Sequence, residues 1–305
     1  MRTIPSYLAC PCEQHSTLQI SQEGLHCLAC GQYFETVDGV LDLLMGERFD
    51  DEQCDCMWSN EEVTGRFLSQ NYLDPLLKHL FDNRLDNALR ILSIGCGVGS
   101  DVEALNELGY EACGVDAGSR AKYWMRRQWP DRYYLANGKH LPFADESFDV
   151  VLMGCVIPHI GVVGDTQTTT LDYLEQRQRA AREMRRVVKK GGYMLISSPN
   201  RLCPLDFFHR SRHDAHMPRL HSRQEPFLLS VDDYAMLLRE DGDCQQIKVL
   251  PLRGYWGFFS SSRYLLGRIL QLPVRFYFNQ FMSWQWTSKL RSTGLNPWLI
   301  LLVQR

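Results

Sequence analysis

The sequence predicts an α/β fold built on a mostly parallel sheet, and three observations carry that expectation. The run ILSIGCGVGSDVEAL (91–105) passes from an apolar strand through Gly95, Gly97 and Gly99 into a helix. A second apolar run, CGVD (113–116), closes on Asp116, roughly 20 residues past the glycine turn. Strand and helix signals then keep alternating, through an apolar strand at 148–153 and REMRRVVKKGGYMLISSPN at 182–200. Alternation of this kind is the pattern of strand–helix–strand units on a parallel sheet.

Taken in order, residues 1–46 form a separate small module. Cys10 and Cys12 precede Cys27 and Cys30, and the second pair has the C-x-x-C spacing at which two thiolates meet one tetrahedral zinc. The first pair, CPC, is one residue short, so either Cys12 or His15 completes the sphere, or the segment is a metal-free hairpin. An acidic connector (47–60) carries Cys54 and Cys56 as ordinary thiols. Leu73, Leu76, Leu77, Leu80 and Phe81 recur at helical spacing within 61–88, the stripe of one or two core-facing helices. Ile91–Ile94 then read as a strand and 101–108 as a helix. A third short strand ends before Asn137, and Phe148–Met153 make a fourth. Helix, Gly191–Gly192 turn and a fifth strand follow. Residues 230–240 read as a helix with Ser230 as N-cap, Gln246–Leu250 as a sixth strand and Trp298–Val303 as the last.

The glycine turn is where ligand chemistry enters. Glycines let a ligand lie against bare backbone, and the helix end offers unpaired N–H groups. The spacing is G-x-G-x-G, with Ser100 where a dinucleotide fingerprint would place its last glycine. Glycine turns also follow many strands for structural reasons alone. With Asp116, Asn137 and the later strands, however, residues 65–200 resemble the class I S-adenosylmethionine (SAM)-dependent methyltransferases, particularly their small-molecule branch. The resemblance implies a Rossmann-like, seven-stranded sheet in the order 3-2-1-4-5-7-6 with a reversed last strand. It also implies that Gly95, Gly97 and Gly99 lie along the methionine part of SAM, Asp116 holds the ribose and Asn137 meets adenine. Two residues depart from the family pattern. Ser93 stands where an acid is usual in the first strand, which weakens the expected hold on the ammonium of SAM. Asn137 replaces an Asp but keeps an acceptor and adds a donor. The N-terminal module resembles the short zinc ribbons fused to, or partnered with, several methyltransferases. The implied organisation is a zinc-ribbon-like module (1–46), a linker (47–60) and a methyltransferase domain (61–305).

Composition sets the class. With 305 residues, 45% hydrophobic and 23% charged at net −3, the chain can bury a full core and shows no global nucleic-acid signature. The N-terminus lacks the apolar stretch of a signal peptide, and no apolar run reaches the roughly 18 residues of a membrane span. Eleven cysteines without a secretory signal point to reduced thiols and a cytoplasmic setting.

Methyl transfer from a sulfonium needs alignment, plus removal of a proton when the acceptor is a hydroxyl or thiol. His159, just after the fourth strand, is the first candidate base, against the reading of a backbone-bonded structural histidine. A second candidate set lies in 197–224, with His209, His213, His216 and His221, five arginines, Asp206 and Asp214. Three readings stay open there: a lid loop (201–229) whose arginines bind an acidic or hydroxylated substrate while a histidine such as His209 or His213 acts as base; a salt-bridged surface loop; or a metal site on His209 and His213. Residues 251–297 form an insertion rich in aromatics, among them Phe258, Phe259, Tyr264, Phe276, Phe281, Trp284 and Trp286. They either pack a helical insertion or make a lipid-facing surface, with contact to a membrane. The basic run 177–190 raises RNA, but no aromatics interleave it. The expectation is therefore O-methylation of a small or lipid-linked metabolite. An RNA methyltransferase and a SAM-binding adaptor without activity are the alternatives.

Overall fold

Residues Arg90–Ile94 (β5) and Phe148–Gly154 (β8) lie side by side in parallel at the middle of the sheet. Their side chains alternate between two cores. Leu92, Ile94, Val151 and Met153 pack with Met184 and Val187 of α4 (Tyr173–Val187) and with Tyr234 and Leu237 of α5 (Val231–Leu238). Ile91, Val150 and Leu152 face the other way, toward Val102 and Leu105 of α3 (Ser100–Glu107) and Leu77 of α2 (Asp74–Leu80). Both faces of the sheet are covered, so these strands read as unbroken apolar runs in the sequence. The computed structural model describes residues 4–21, 24–46, 56–81, 88–164, 166–210, 218–239, 247–253, 269 and 271–305.

Across the sheet the order is β7 (Tyr133–Leu135), β6 (Glu111–Asp116), β5, β8, β9 (Val188–Pro199), β13 (Trp298–Gln304) and β12 (Lys248–Val249). The first five run parallel, β13 is antiparallel to β9, and β12 is antiparallel to β13. In chain order these seven strands stand 3-2-1-4-5-7-6, as the resemblance implies. The whole sheet is larger than seven, because four N-terminal strands continue it beyond β7. These are β1 (Leu18–Ile20), β2 (Gly24–Cys27), β3 (Tyr33–Val37) and β4 (Val40–Asp42). Asp38 (φ 50°) and Gly39 (φ 86°) make the tight turn between β3 and β4, the Asp-Gly signature of a type I′ hairpin. β4 pairs in parallel with β7. Cys10, Cys27, Phe34 and Leu43 share the core of Leu92 and Val151. A segment this short cannot bury a core of its own, and it borrows one from the sheet.

Two elements differ from the sequence expectation. Gly191–Gly192 is no turn between helix and strand. Both lie inside β9, where the register jumps from Phe148–Val188 to Val150–Tyr193, so the pair accommodates a bulge. The segment expected to be an irregular loop holds a hairpin, β10 (Leu205–Arg210) against β11 (Pro218–Leu220). As expected, 61–80 is helical: α1 (Cys56–Leu68) and a π-helical turn at Ser69–Leu73 lead into α2, and the leucine stripe runs from Leu73 at the end of that turn through α2 to Phe81. Ser230 does cap α5, in a reciprocal capping box with Asp233.

Where described, the C-terminal insertion is helical. It contains α6 (Gln271–Asn279) and two 3-10 turns, with Tyr277 stacked on Phe281 and Trp284 on Trp286. Phe258, Phe259 and Tyr264 lie outside the described residues. Among the described residues no helix is long and apolar enough to cross a membrane.

Candidate active site

The strand order reverses between β5 and β8, and crevices at such a switch point, at the carboxyl ends of the strands, are where open α/β sheets bind ligands. One wall of this crevice is the glycine turn. Gly95, Gly97 and Gly99 all have positive φ, at 71°, 53° and 80°. A Cβ on Gly99 would stand 2.4 Å from the Tyr133 ring, and one on Gly95 2.2 Å from the Val156 side chain, so these two glycines are also required by packing. Gly97 is different. A Cβ there would enter the space beside the Glu61 carboxylate, at 2.6 Å, and the Arg120 side chain.

Asp116, at the end of β6, accepts from the N–H of Gly97 at 2.9 Å and from that of Gly118 at 2.8 Å. Each carboxylate oxygen retains further acceptor capacity. Asn137 follows β7; its side-chain oxygen accepts from the Lys139 N–H at 2.9 Å, which fixes the turn. Two carboxylates complete this wall without having been singled out in the sequence. Asp101 reaches back from the first turn of α3 to the Ser93 hydroxyl, so an acid returns to the place where the first strand lacks one. Burial pushes its carboxyl upward, and its second oxygen has no partner among the described residues. Glu61 of α1 accepts from the Val98 N–H and pairs with Arg120 at 2.8 Å, and burial raises its carboxyl too. An acid in a helix's first turn, as at Asp101, was the available signal. Nothing local marks Glu61.

The opposite wall is made of side chains. Cys155 follows β8 with φ 55°, in the left-handed region that non-glycine residues seldom occupy. Its Sγ lies 4.0 Å from Nε2 of His159 and 4.0 Å from Nε2 of His209, and the two imidazole nitrogens are 3.1 Å apart. His209 comes from β10, and its Nδ1 is 2.7 Å from Asp206, which is itself fully buried. The N–H groups of Phe208 and His209 donate to the other Asp206 oxygen, while Arg219 of β11 adds a charged donor at 3.1 Å. Burial alone would raise the Asp206 carboxyl. The bond and charge of His209, with the two N–H groups, overcome it and hold the group down at about 2. Burial opposes charge on His209 as well, yet its bonds to Asp206 and Cys155 raise it to about 10. Burial disfavours a Cys155 thiolate, but the two histidines bring the thiol down to about 6. Negative charge on Cys155 and Asp206 is thus balanced by positive charge on His209.

The structure thus brings together His159 and His209 from segments 50 residues apart. Cys155 and Asp206 join them, and sequence reasoning gave neither a role. The signals were C-x-x-x-H after strand four and D-x-x-H at the start of the hairpin. His213 and His216 lie outside the described residues, so the His209–His213 metal pair does too. His221 turns toward Glu225, at 3.2 Å. Arg219 is occupied by Asp206 and Glu225, and Arg201 by Asp233, which is the salt-bridged reading for both. In the basic helix, Arg177 is buried and donates to the carbonyls of Pro158, Ile160, Pro226 and Phe227. It ties the His159 turn to Phe227, whose ring meets both imidazoles edge-on. Arg185 and Arg186 likewise donate to carbonyls within the chain.

Away from the crevice, the four N-terminal thiols converge. Cys10, Cys12, Cys27 and Cys30 place their sulfurs within 4.8 Å of one another, with 3.7 Å between Cys10 and Cys30. Thiolates at about 2.3 Å around a tetrahedral zinc stand about 3.8 Å apart, so the set fits that ion. Burial works against a Cys27 thiolate, but the backbone N–H groups of the C-x-x-C turn and the neighbouring thiols bring it down to about 7. His15 points instead at Glu183, at 3.7 Å.

Residues 92–196, which contain the glycine turn, Asp116, Asn137, Cys155 and His159, match the family model described as a methyltransferase domain. This is a class I SAM-dependent methyltransferase domain. A "Probable S-adenosylmethionine-dependent methyltransferase" of Mycobacterium tuberculosis is 28% identical over 153 residues, 50% of this chain and 47% of that protein. The malonyl-[acyl-carrier protein] O-methyltransferase of Erwinia pyrifoliae is 31% identical over 126 residues, 41% of this chain and 42% of that one. The chain thus spans a little under half the length of these curated relatives. Among solved structures, a Haemonchus contortus phosphoethanolamine N-methyltransferase in complex with SAM is similar over 81% of this chain and 57% of its own. Its TM-score is 0.47 at 18% identity, a likeness that says nothing about substrate. In this domain the glycine turn lies on one side of the switch point and the thiol–imidazole group on the other.

Proposed function

We propose that the chain is a SAM-dependent methyltransferase that methylates a hydroxyl of a small or lipid-linked acceptor. The observation that carries this reading is the placement of Cys155, His159 and His209 across the switch point from the glycine turn. SAM supplies a methyl group already activated on a positively charged sulfur. Gly95, Gly97, Gly99, Asp116 and Asn137 would hold it. Carboxylates of Asp101, Asp116 and Glu61 surround the turn; Glu61 already has Arg120 as its cation, whereas burial makes Asp101 costly to ionise without one. A cofactor with sulfonium and ammonium charge satisfies that need. The acceptor hydroxyl loses its proton at the Cys155–His159–His209 group, with Asp206 orienting His209.

Several observations bear on the acceptor. Three arginines of the basic helix, Arg177, Arg185 and Arg186, serve the protein's own carbonyls, which weighs against an RNA grip. Leu272, Phe276 and Trp286 stand exposed on the insertion, a surface suited to an apolar or lipid-linked acceptor and to peripheral membrane contact. The free thiols suit a cytoplasmic setting, and Cys10, Cys12, Cys27 and Cys30 would hold one structural zinc. The test is transfer of a tritiated methyl group from SAM into separated metabolite, lipid and RNA fractions. Label in a small-molecule or lipid fraction, on oxygen by mass spectrometry, is the expected result. Label in RNA, or none in any fraction, overturns the reading.

A further inference from the structure

The geometry points to a second metal site, in which Cys155, His159 and His209 bind a zinc-type divalent ion and leave one position open for the acceptor hydroxyl. The site stands by itself; only the occupant of its open position rests on the methyltransferase reading.

Three lone-pair atoms converge on one point. Cys155 Sγ and the two Nε2 atoms form a triangle with edges of 4.0, 4.0 and 3.1 Å. Its circumscribed radius is about 2.2 Å, against zinc–ligand distances of about 2.3 Å for thiolate and 2.0–2.1 Å for imidazole. An ion at that point needs little rearrangement of its ligands.

The surroundings also match those of a metal-binding histidine. His209 gives its Nδ1–H to Asp206, so its Nε2 lone pair faces the centre; a carboxylate behind a ligand imidazole fixes tautomer and ring orientation in this way. Asp206 is itself held by two backbone N–H groups and by Arg219. His159 sits on a turn whose carbonyls at Pro158 and Ile160 are held by Arg177. Phe227 braces both rings edge-on. Cys155 adopts its left-handed backbone conformation where its sulfur completes the triangle. Strained residues of this kind concentrate at working sites.

Among the described residues the site has three protein ligands, the mark of a site that keeps a position for exogenous oxygen, whereas four close it. The bound ion polarises the acceptor O–H bond. That bond breaks with its electron pair left on oxygen; because Cys155, His159 and His209 are then engaged as ligands, the proton that the metal-free group would take passes to solvent instead. The oxygen pair then forms the new C–O bond to the methyl carbon as the C–S bond breaks and its pair stays on sulfur. No oxidant or reductant is needed.

The test is a cobalt(II) titration followed by absorbance, in a Cys27→Ser/Cys30→Ser variant that lacks the N-terminal thiol set. One equivalent should bind with a charge-transfer band from a single thiolate. Adding Cys155→Ala should abolish that band, and adding His209→Ala should weaken binding at least about 100-fold, the upper end of what a lost ligand partner costs. No binding in the parent variant overturns the site. If that variant does not fold, zinc is counted in the wild type and in Cys155→Ala/His209→Ala. Two equivalents falling to one support the site, and an unchanged count overturns it. Chelator-stripped protein that transfers methyl at the full rate overturns the role of the open position and leaves the methyltransferase reading intact. Protein that binds the ion at Cys155 but never transfers methyl leaves the metal site standing and removes that reading.

Discussion

The two walls of the crevice are built by different means. On the β5 side the groups facing the ligand space are mostly backbone, presented by a turn in which Gly95, Gly97 and Gly99 hold positive φ. On the β8 side they are side chains from two segments, 155–159 and β10, fixed by Asp206, Arg219 and Arg177. A backbone wall recognises shape and is damaged only by altering the chain's path. A side-chain wall carries reactivity, and its chemistry can be removed while the path stays intact. On the proposed function, the difference would separate the grip on the cofactor from the step on the acceptor.

The largest expected effect tests the backbone wall. Gly97→Val places a branched side chain at φ 53° and fills the space beside Glu61, so SAM binding should fall below detection by calorimetry. Near-normal affinity in this variant would mean that the turn does not form the cradle. His209→Ala tests the other wall. It should lower kcat at least about 100-fold, the usual weight of a group that handles a proton, with SAM affinity unchanged. A variant that loses affinity and keeps kcat would show that the two walls do not divide the work. Asp116→Ala is the smallest change and sharpens the division, because Asp116 is a side chain within the backbone wall. It should weaken SAM binding by about 1–3 kcal/mol, as for a lost pair of charge-assisted bonds, with kcat at saturation preserved. An effect on kcat alone would place Asp116 with the acceptor chemistry.

The same division decides what could be read from the sequence. The glycine wall lies within 26 consecutive residues, and its strand, turn, helix and closing acid follow one another in register with the family pattern. The seven-strand order follows from that resemblance. His159 and His209 were visible as candidates, but their meeting was not, because it depends on β10 and β11 pairing. LDFFHR carries no clean alternation of apolar and polar residues, so nothing in it announces a strand. Cys155 looked like the last residue of an apolar run until its backbone turned. Arg177 looked like part of a charged face, and only tertiary contacts show that it binds four carbonyls. The parallel pairing of β4 with β7 joins residues about ninety positions apart, and no local pattern encodes such a contact.

That pairing has a consequence for how the molecule behaves in a crowded solution. A sheet ending at β7 would offer the unpaired N–H and C=O groups of a parallel strand to any other chain, the usual starting point of edge-to-edge aggregation. β4 takes up those groups, with Leu43 N–H donating to the Leu135 carbonyl at 2.8 Å, and the hairpins move the free edge out to β1, only three residues long. The N-terminal module is thus a hem on the sheet. An ion held by its four thiols, as proposed, would secure that hem and keep the sheet edge closed, on the side of β5 away from Cys155 and His209.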